Sequence, residues 1–212
     1  KFDPDFKEIL HIKKSYELPD DTTLLNKAIF ALTKQILVQI MPLVFSICDH
    51  IREKTGTDLR QMVEGSKDQI VVRFLHYFSL EGCDKDLAAD PHIDKGLFTI
   101  HLWEDSPGLQ LLWNDMWFDI EPSEDRVLFY CGLIGQYHTG CKLKAACHQV
   151  VTNQHTVLNG RYAIVMFVDG GTKKSNKDGK GSTQNNFNNG QNYTMSTNEL
   201  EEFLIETDVP VD

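Results

Sequence analysis

The sequence predicts a mainly β protein of sandwich, jelly-roll or barrel type, preceded by helices. Two observations carry this. From Gln69 to Asp169 the chain reads as at least seven short β-rich runs separated by turn residues, the pattern of a two-layered or closed antiparallel fold. Ahead of them, Leu25, Ile29, Leu32, Ile36, Ile40, Val44, Ile47 and Ile51 recur at close to helical spacing. A length of 212 residues, 41% of them hydrophobic and 25% charged, suits one globular domain with a full core.

In chain order, residues 1–23 form a mixed, charged N-terminal segment with little periodicity. Asp20, Asp21, Thr22 and Thr23 are N-cap candidates for the long helix, because their short oxygen-bearing side chains can accept from the first free amides. Pro42 is expected to kink or divide that helix, since it lacks an amide donor and crowds the preceding turn. The helix should end near Lys54–Asp58, with Asp58 capping a short helix to Val63; residues 24–64 are thus a helical support region. Strands are expected at 69–78, 97–104, 109–114, 116–120, 126–131, 143–151 and 161–169, giving a core over 69–169. Ser106–Gly108, Pro122–Asp125 and Asn159–Gly160 supply its tight connections.

Residues 170–198 are rich in Gly, Asn, Ser and Lys and nearly bare of apolar side chains, which predicts a flexible polar loop. Asn192-Tyr193-Thr194 matches a glycosylation sequon, with little weight in the absence of a visible secretory signal. Residues 199–206 read as a short closing helix, capped by Ser196 or Asn198 and followed by a tail to 212.

A net charge of −10 argues against a broad nucleic-acid footprint, which needs a basic face. No apolar run approaches the roughly 20 residues that span a bilayer, so no membrane partner is expected. The five cysteines, Cys48, Cys83, Cys131, Cys141 and Cys147, are odd in number and contain no Cys-x-x-Cys. They read as free thiols in a reducing compartment, and the expected location is cytoplasmic. Cys147 beside His148 is not a catalytic pair, because neighbours on a strand point to opposite faces.

The chemistry starts at DPHIDKGLFTIHLWED, residues 90–105. On extended chain His92 and Asp94 project from one face and Ile93 turns away. An imidazole and a carboxylate are two of the three facial ligands of a non-heme iron(II) site. His148, in an expected strand 54 positions after Asp94, is the candidate third. Arg161 opens the last strong strand and shares a face with Ala163, Val165 and Phe167. A guanidinium on so apolar a strand needs an anionic partner, and its planar fork suits a carboxylate. Among the other histidines, His101 is expected to be packed rather than a ligand, and His76 to point away. His138 and His155 are expected at the surface. Glu104 and Asp105 read as solvated residues flanking a turn, and Trp103, Trp113 and Trp117 as core.

At these residues the chain resembles the 2-oxoglutarate- and iron(II)-dependent dioxygenases of the isopenicillin-N-synthase-like family, from about Leu24 to Val168. RFLHYF (73–78) is similar to the strand ending in the family's co-substrate-binding tyrosine, here Tyr77. HID followed by GLFTIHLWEDSPGLQLL, then MWFDIEP, CHQVV and RYAIVMF, matches the family's His-x-Asp segment, later strands, distal histidine and Arg-x-Ser strand in order. The resemblance implies a double-stranded β-helix (jelly-roll) core with the N-terminal helices packed outside. It further implies Fe(II) on His92, Asp94 and His148, with 2-oxoglutarate held by Arg161 and Tyr77 and dioxygen as co-substrate. The implied reaction hydroxylates or desaturates a small-molecule substrate, releasing succinate and carbon dioxide.

Two departures stand out. Ala163 replaces the serine of Arg-x-Ser, removing a hydroxyl worth about 0.5–1.5 kcal/mol to a bound carboxylate. Gln149 replaces the basic residue after the distal histidine. An oxidase with the same triad and no 2-oxoglutarate, or a non-catalytic jelly-roll binding module, are the competing expectations.

Overall fold

A computed structural model describes residues 7–14, 17, 23–66, 69–81 and 86–170. Among them the elements run β1 (Lys7–Lys13), α1 (Leu24–Thr55), α2 (Arg60–Gly65), β2 (Ile70–Tyr77), β3 (Leu87–Ile93), β4 (Phe98–Glu104), β5 (Leu109–Trp113) and β6 (Met116–Asp119). They continue with β7 (Leu128–Cys131), α3 (Leu133–His138), β8 (Cys147–Val151), α4 (Gln154–Asn159) and β9 (Arg161–Val168). One antiparallel sheet has the order β1-β2-β9-β4-β7, the other β3-β8-β5-β6. From β2 onward the chain changes sheet at every connection except the β5–β6 hairpin. That alternation is the winding of a double-stranded β-helix, the jelly roll that the sequence resemblance implied.

Strand period sorts the side chains. On β9, Ala163 and Val165 join Leu75, Tyr77, Ala88, Ala89 and Val150 in the interior between the sheets. Met166 and Val168 face the other way and share a core with Ile70, Val72, Phe98, Ile100 and the helix α1. Burying each such Val, Leu or Ile contributes about 1.5–3 kcal/mol, so α1 is a structural back wall that leaves the inner faces for chemistry.

Helix α1 begins at Thr23, whose Oγ1 accepts from the Asn26 amide at 3.3 Å, and stops at Gly56, where φ is +79°. Pro42 does not divide the helix, which is a single element from Leu24 to Thr55. Pro42 is exposed, and the carbonyl it deprives of a donor belongs to Val38, which is 75% exposed, so water can replace the lost bond. The buried seam is Thr33, Leu37, Met41, Val44, Cys48, Ile51 and Thr55. Of the expected stripe, Val44 and Ile51 lie in that seam and Ile36, Ile40 and Ile47 pack partly buried against the same core, whereas Leu25 and Leu32 are exposed. The helix carries apolar residues on several faces, so periodicity left its rotation ambiguous and the sheet decided it. By length and composition α1 is also apolar enough to cross a bilayer, contrary to the expectation that no segment was.

Lys7–Lys13, which showed no periodicity, is a strand because it pairs along its full length with β2. The expected strand 143–151 shortens to Cys147–Val151, since the Ala145 amide bonds instead to Gln136 Oε1 at 2.7 Å. Asp58 accepts from the Arg60 amide at 3.1 Å at the start of α2, as expected. Trp103 and Trp113 are exposed rather than core, because they sit on outward faces that no element covers among the described residues. The loop expected at 170–198, apart from Gly170 itself, and the helix expected at 199–206 lie outside the described residues.

Candidate metal centre

His92 lies near the end of β3 directly opposite His148 on β8. Two register shifts precede it in β3, one at Ala88 and one across Asp90 and Pro91. Proline cannot donate to a ladder, so a bulge is its natural place in a strand, and bulges re-aim the side chains that follow. Asp94 sits one residue past the strand. Its turn is clamped by amides at the start of α3: Gly132 donates to the Leu97 carbonyl, Leu133 to that of Asp94 and Ile134 to that of Lys95, at 2.9–3.2 Å. A Cβ on Gly132 would fall 2.2 Å from the Gly96 carbonyl, so only glycine allows the approach.

The result is a compact trio. One ligand atom from each of His92, Asp94 and His148 lies within 4.8 Å of the others. His92 Nε2 is 4.0 Å from Asp94 Oδ1, and His148 Nε2 is 3.8 Å from Asp94 Oδ2. Donors on bonds of about 2 Å to one ion lie roughly 3–4 Å apart, so the spacing fits a single cation. Tautomers are set from behind. His92 Nδ1 is 2.7 Å from the Asp90 carbonyl and His148 Nδ1 is 3.2 Å from that of Ala146. Each carbonyl can only accept, so each Nδ1 carries the proton and each Nε2 presents its lone pair inward.

Two further residues, which sequence reasoning did not single out, hold the trio. Thr99 Oγ1 donates to Asp94 Oδ2 at 2.5 Å. Tyr130 OH lies 3.3 Å from His148 Nε2. Burial, with Asp94 beside it, pushes the Tyr130 phenol well above its usual pKa, so it stays protonated and donates to the Asp94 carboxylate. The available signal for Thr99 was its position two residues before His101 on one strand face; for Tyr130 there was none, because its place depends on β7 pairing with β4.

Arg161 is 1% exposed and lies opposite Tyr77 in the β2–β9 register. Its Nε donates to the Ser106 carbonyl at 3.2 Å, and Nη2 donates to Glu104 Oε2. Nη1 is buried with no hydrogen-bond partner among the described residues. The expectation of a solvated Glu104 is therefore wrong: its side chain is 7% exposed and is the anionic partner that a buried arginine requires. Burial pushes the Glu104 carboxyl up, against the pull of Arg161. Tyr77 is buried, with the guanidinium carbon 5.6 Å from its ring centre.

The remaining histidines sort as follows. His101 is not a ligand: buried beside Tyr130, it has its pKa pushed down to about 3 by desolvation, with His148, Arg161 and His92 adding to the effect. His76 stacks on Tyr162 on the outer face. His138 is half-buried at the end of α3, not at the surface as expected, and burial lowers its pKa. His155 is exposed on α4. Cys147 is half-buried with its thiol pKa raised by burial, which suits no nucleophile. The buried Gln149 bonds to Gln110, away from the trio.

The trio opens on a cavity of about 320 Å³ between the two sheets. The sequence from 67 to 170 matches the family model of the 2OG-Fe(II) oxygenase superfamily. This segment belongs to that superfamily, whose cofactors are iron(II) and 2-oxoglutarate, and the His-Asp-His trio is chemically suited to the iron.

Solved structures agree on the fold of this chain. A full-length Neurospora crassa protein in complex with alpha-KG and thymine is 22% identical with a TM-score of 0.68, over 96% of this chain and 66% of that one. Rice dioxygenase for auxin oxidation is 15% identical with a TM-score of 0.66, over 99% and 72%. JOX2, in complex with 2OG, Fe and JA, is 20% identical with a TM-score of 0.63, over 79% and 51%. This chain thus spans between 51% and 72% of the length of these three chains. No curated protein matches its sequence.

Proposed function

We propose that this chain couples the oxidative decarboxylation of 2-oxoglutarate to the hydroxylation or desaturation of a small organic substrate, with iron(II) held by His92, Asp94 and His148. The observation that carries the reading is the orientation of the two Nε2 lone pairs and the Asp94 carboxylate toward one point at the cavity wall. Iron bound there would supply coordination positions for the 2-oxo acid and dioxygen, since three protein ligands leave the rest of its sphere open.

The protein's own residues do the positioning. Asp90 and Ala146 carbonyls hold the imidazoles in their ligating tautomers, and Thr99 fixes one oxygen of Asp94. Arg161, through its unpartnered Nη1, and Tyr77, at the same level of the interior, are the anchor for the distal carboxylate of 2-oxoglutarate. With Nη2 on Glu104 and no hydroxyl at Ala163, that anchor offers a one-toothed rather than a forked grip. The cavity walls of Leu75, Leu109, Val150 and Val165 exclude water from the reacting atoms.

The test is anaerobic. Ferrous iron and then 2-oxoglutarate are added, and the visible charge-transfer absorption of the chelate is followed. The expected result is a band in the native protein that is lost in His148→Ala. Iron binding with no band would point to the oxidase that does not use 2-oxoglutarate. Absence of iron binding would overturn both enzymatic readings.

A further inference from the structure

The wall of the cavity that faces the trio carries its own charge. Arg73 lies on β2, in the sheet opposite the two histidines, and lines the same cavity as His92, Asp94 and His148. Its guanidinium lies over the Phe167 ring at 4.3 Å, which braces the plane. Among the described residues its buried Nε has no hydrogen-bond partner, and no carboxylate forms an ion pair with it. This contrasts with Arg161, whose charge Glu104 already meets. Desolvation is the largest influence on Arg73, and Asp94 opposes it from a distance.

The surroundings reinforce it. His11 on β1 lies directly opposite Arg73 and lines the same cavity. His11 has its pKa lowered by burial, with Arg73 and Lys13 adding to the effect, so it is a neutral hydrogen-bonding group beside the guanidinium. Lys7 stands four pairs further along the β1–β2 ladder, over the Tyr77 ring, and adds positive charge to the same wall. A partly desolvated guanidinium without a partner costs stability unless an anion arrives, and its fork matches a carboxylate.

We propose that Arg73, assisted by His11, is the recognition site for the prime substrate, and that this substrate is a small organic carboxylate. The assignment rests on the proposed function only for where oxidation occurs. The anion is gripped from the β1–β2 wall while the apolar remainder of the molecule lies toward the iron ligands on β3 and β8. The co-substrate anchor is a separate grip: Tyr77 opposite Arg161 lies four pairs along the β2–β9 ladder from Arg73 opposite Val165.

The test uses matched acids and primary amides (benzoate, phenylacetate and hexanoate with benzamide, phenylacetamide and hexanamide). Each is titrated by calorimetry into the chelator-treated protein at pH 8, and the chelate band is recorded separately. At least one acid should bind about 10- to 100-fold more tightly than its amide, the range of a charge-assisted hydrogen bond. Arg73→Leu should abolish that preference and Arg73→Lys should retain part of it, with the iron–2-oxoglutarate band intact in both. Equal binding of acids and amides, including no binding of either, overturns the proposal, as does a preference that persists in Arg73→Leu. Loss of the band in Arg73→Leu also overturns it, because Arg73 would then hold the co-substrate. If the native protein forms no band yet prefers acids through Arg73, the carboxylate site stands and the proposed oxygenase reaction falls.

Discussion

Glu104→Gln separates the two jobs that Arg161 performs. In the native protein Arg161 is 1% exposed and the Glu104 side chain 7%, so each charge depends on the other for compensation. Removing one member of such a pair costs about 3–5 kcal/mol, because the survivor stays buried and charged. Glutamine keeps an accepting oxygen, which places the expected loss near the lower limit, about 3 kcal/mol. At roughly 2–4 °C per kcal/mol for a chain of this size, the melting temperature should fall by about 6–12 °C. The second consequence runs the other way. With Glu104 neutral, the guanidinium has its full charge available to a bound dicarboxylate. 2-Oxoglutarate should therefore bind more tightly and restore more of the lost stability than it adds to the native protein. Differential scanning fluorimetry with and without 2-oxoglutarate reads both effects, in protein loaded with manganese to prevent turnover. An unchanged melting temperature together with an unchanged response to 2-oxoglutarate would refute the reasoning.

Other perturbations test neighbouring parts of the argument. Thr99→Val removes the 2.5 Å bond to Asp94 and should weaken iron binding about 10- to 100-fold, measured by competition with a chelator. His101 ionises near 6.5 when unfolded but only near 3 in the fold. The unfolded chain therefore takes up the proton first, and stability is lost as pH falls from 6.5 toward 3. Between about pH 7.5 and about pH 5.5 the loss assignable to His101 is on the order of 1 kcal/mol; urea unfolding of the metal-free protein should show correspondingly less pH dependence in His101→Gln. Leu37→Ala should destabilise by about 2–5 kcal/mol, whereas Leu25→Ala, on the exposed side of α1, should stay within about 0.5 kcal/mol. Equal effects would mean that the helix buries the face its periodicity suggested.

What the sequence determined by itself is what short-range geometry can encode. His92 and Asp94 share a face because extended chain alternates, and a string of short strands with turn residues between them leaves a sandwich, a jelly roll or a barrel. Arg161, Ala163 and Val165 were legible as one inward face for the same reason. The N-cap among Asp20 to Thr23 and the helix end near Lys54–Asp58 belong to this class too, since a helix end is a local hydrogen-bonding problem.

Tertiary structure decided the rest, because the deciding partners are far apart in the chain. Lys7–Lys13 becomes a strand only when β2 offers its edge, and the rotation of α1 was set by the sheet it covers. Glu104 looked like a solvated turn acid until β4 and β9 paired and brought it to Arg161, 57 positions later. Arg73 carried no motif; its meaning comes from facing the trio across the cavity with no carboxylate paired to it among the described residues. Burial and pairing set the cost of a charge, and neither is a property of a residue's immediate neighbours in sequence.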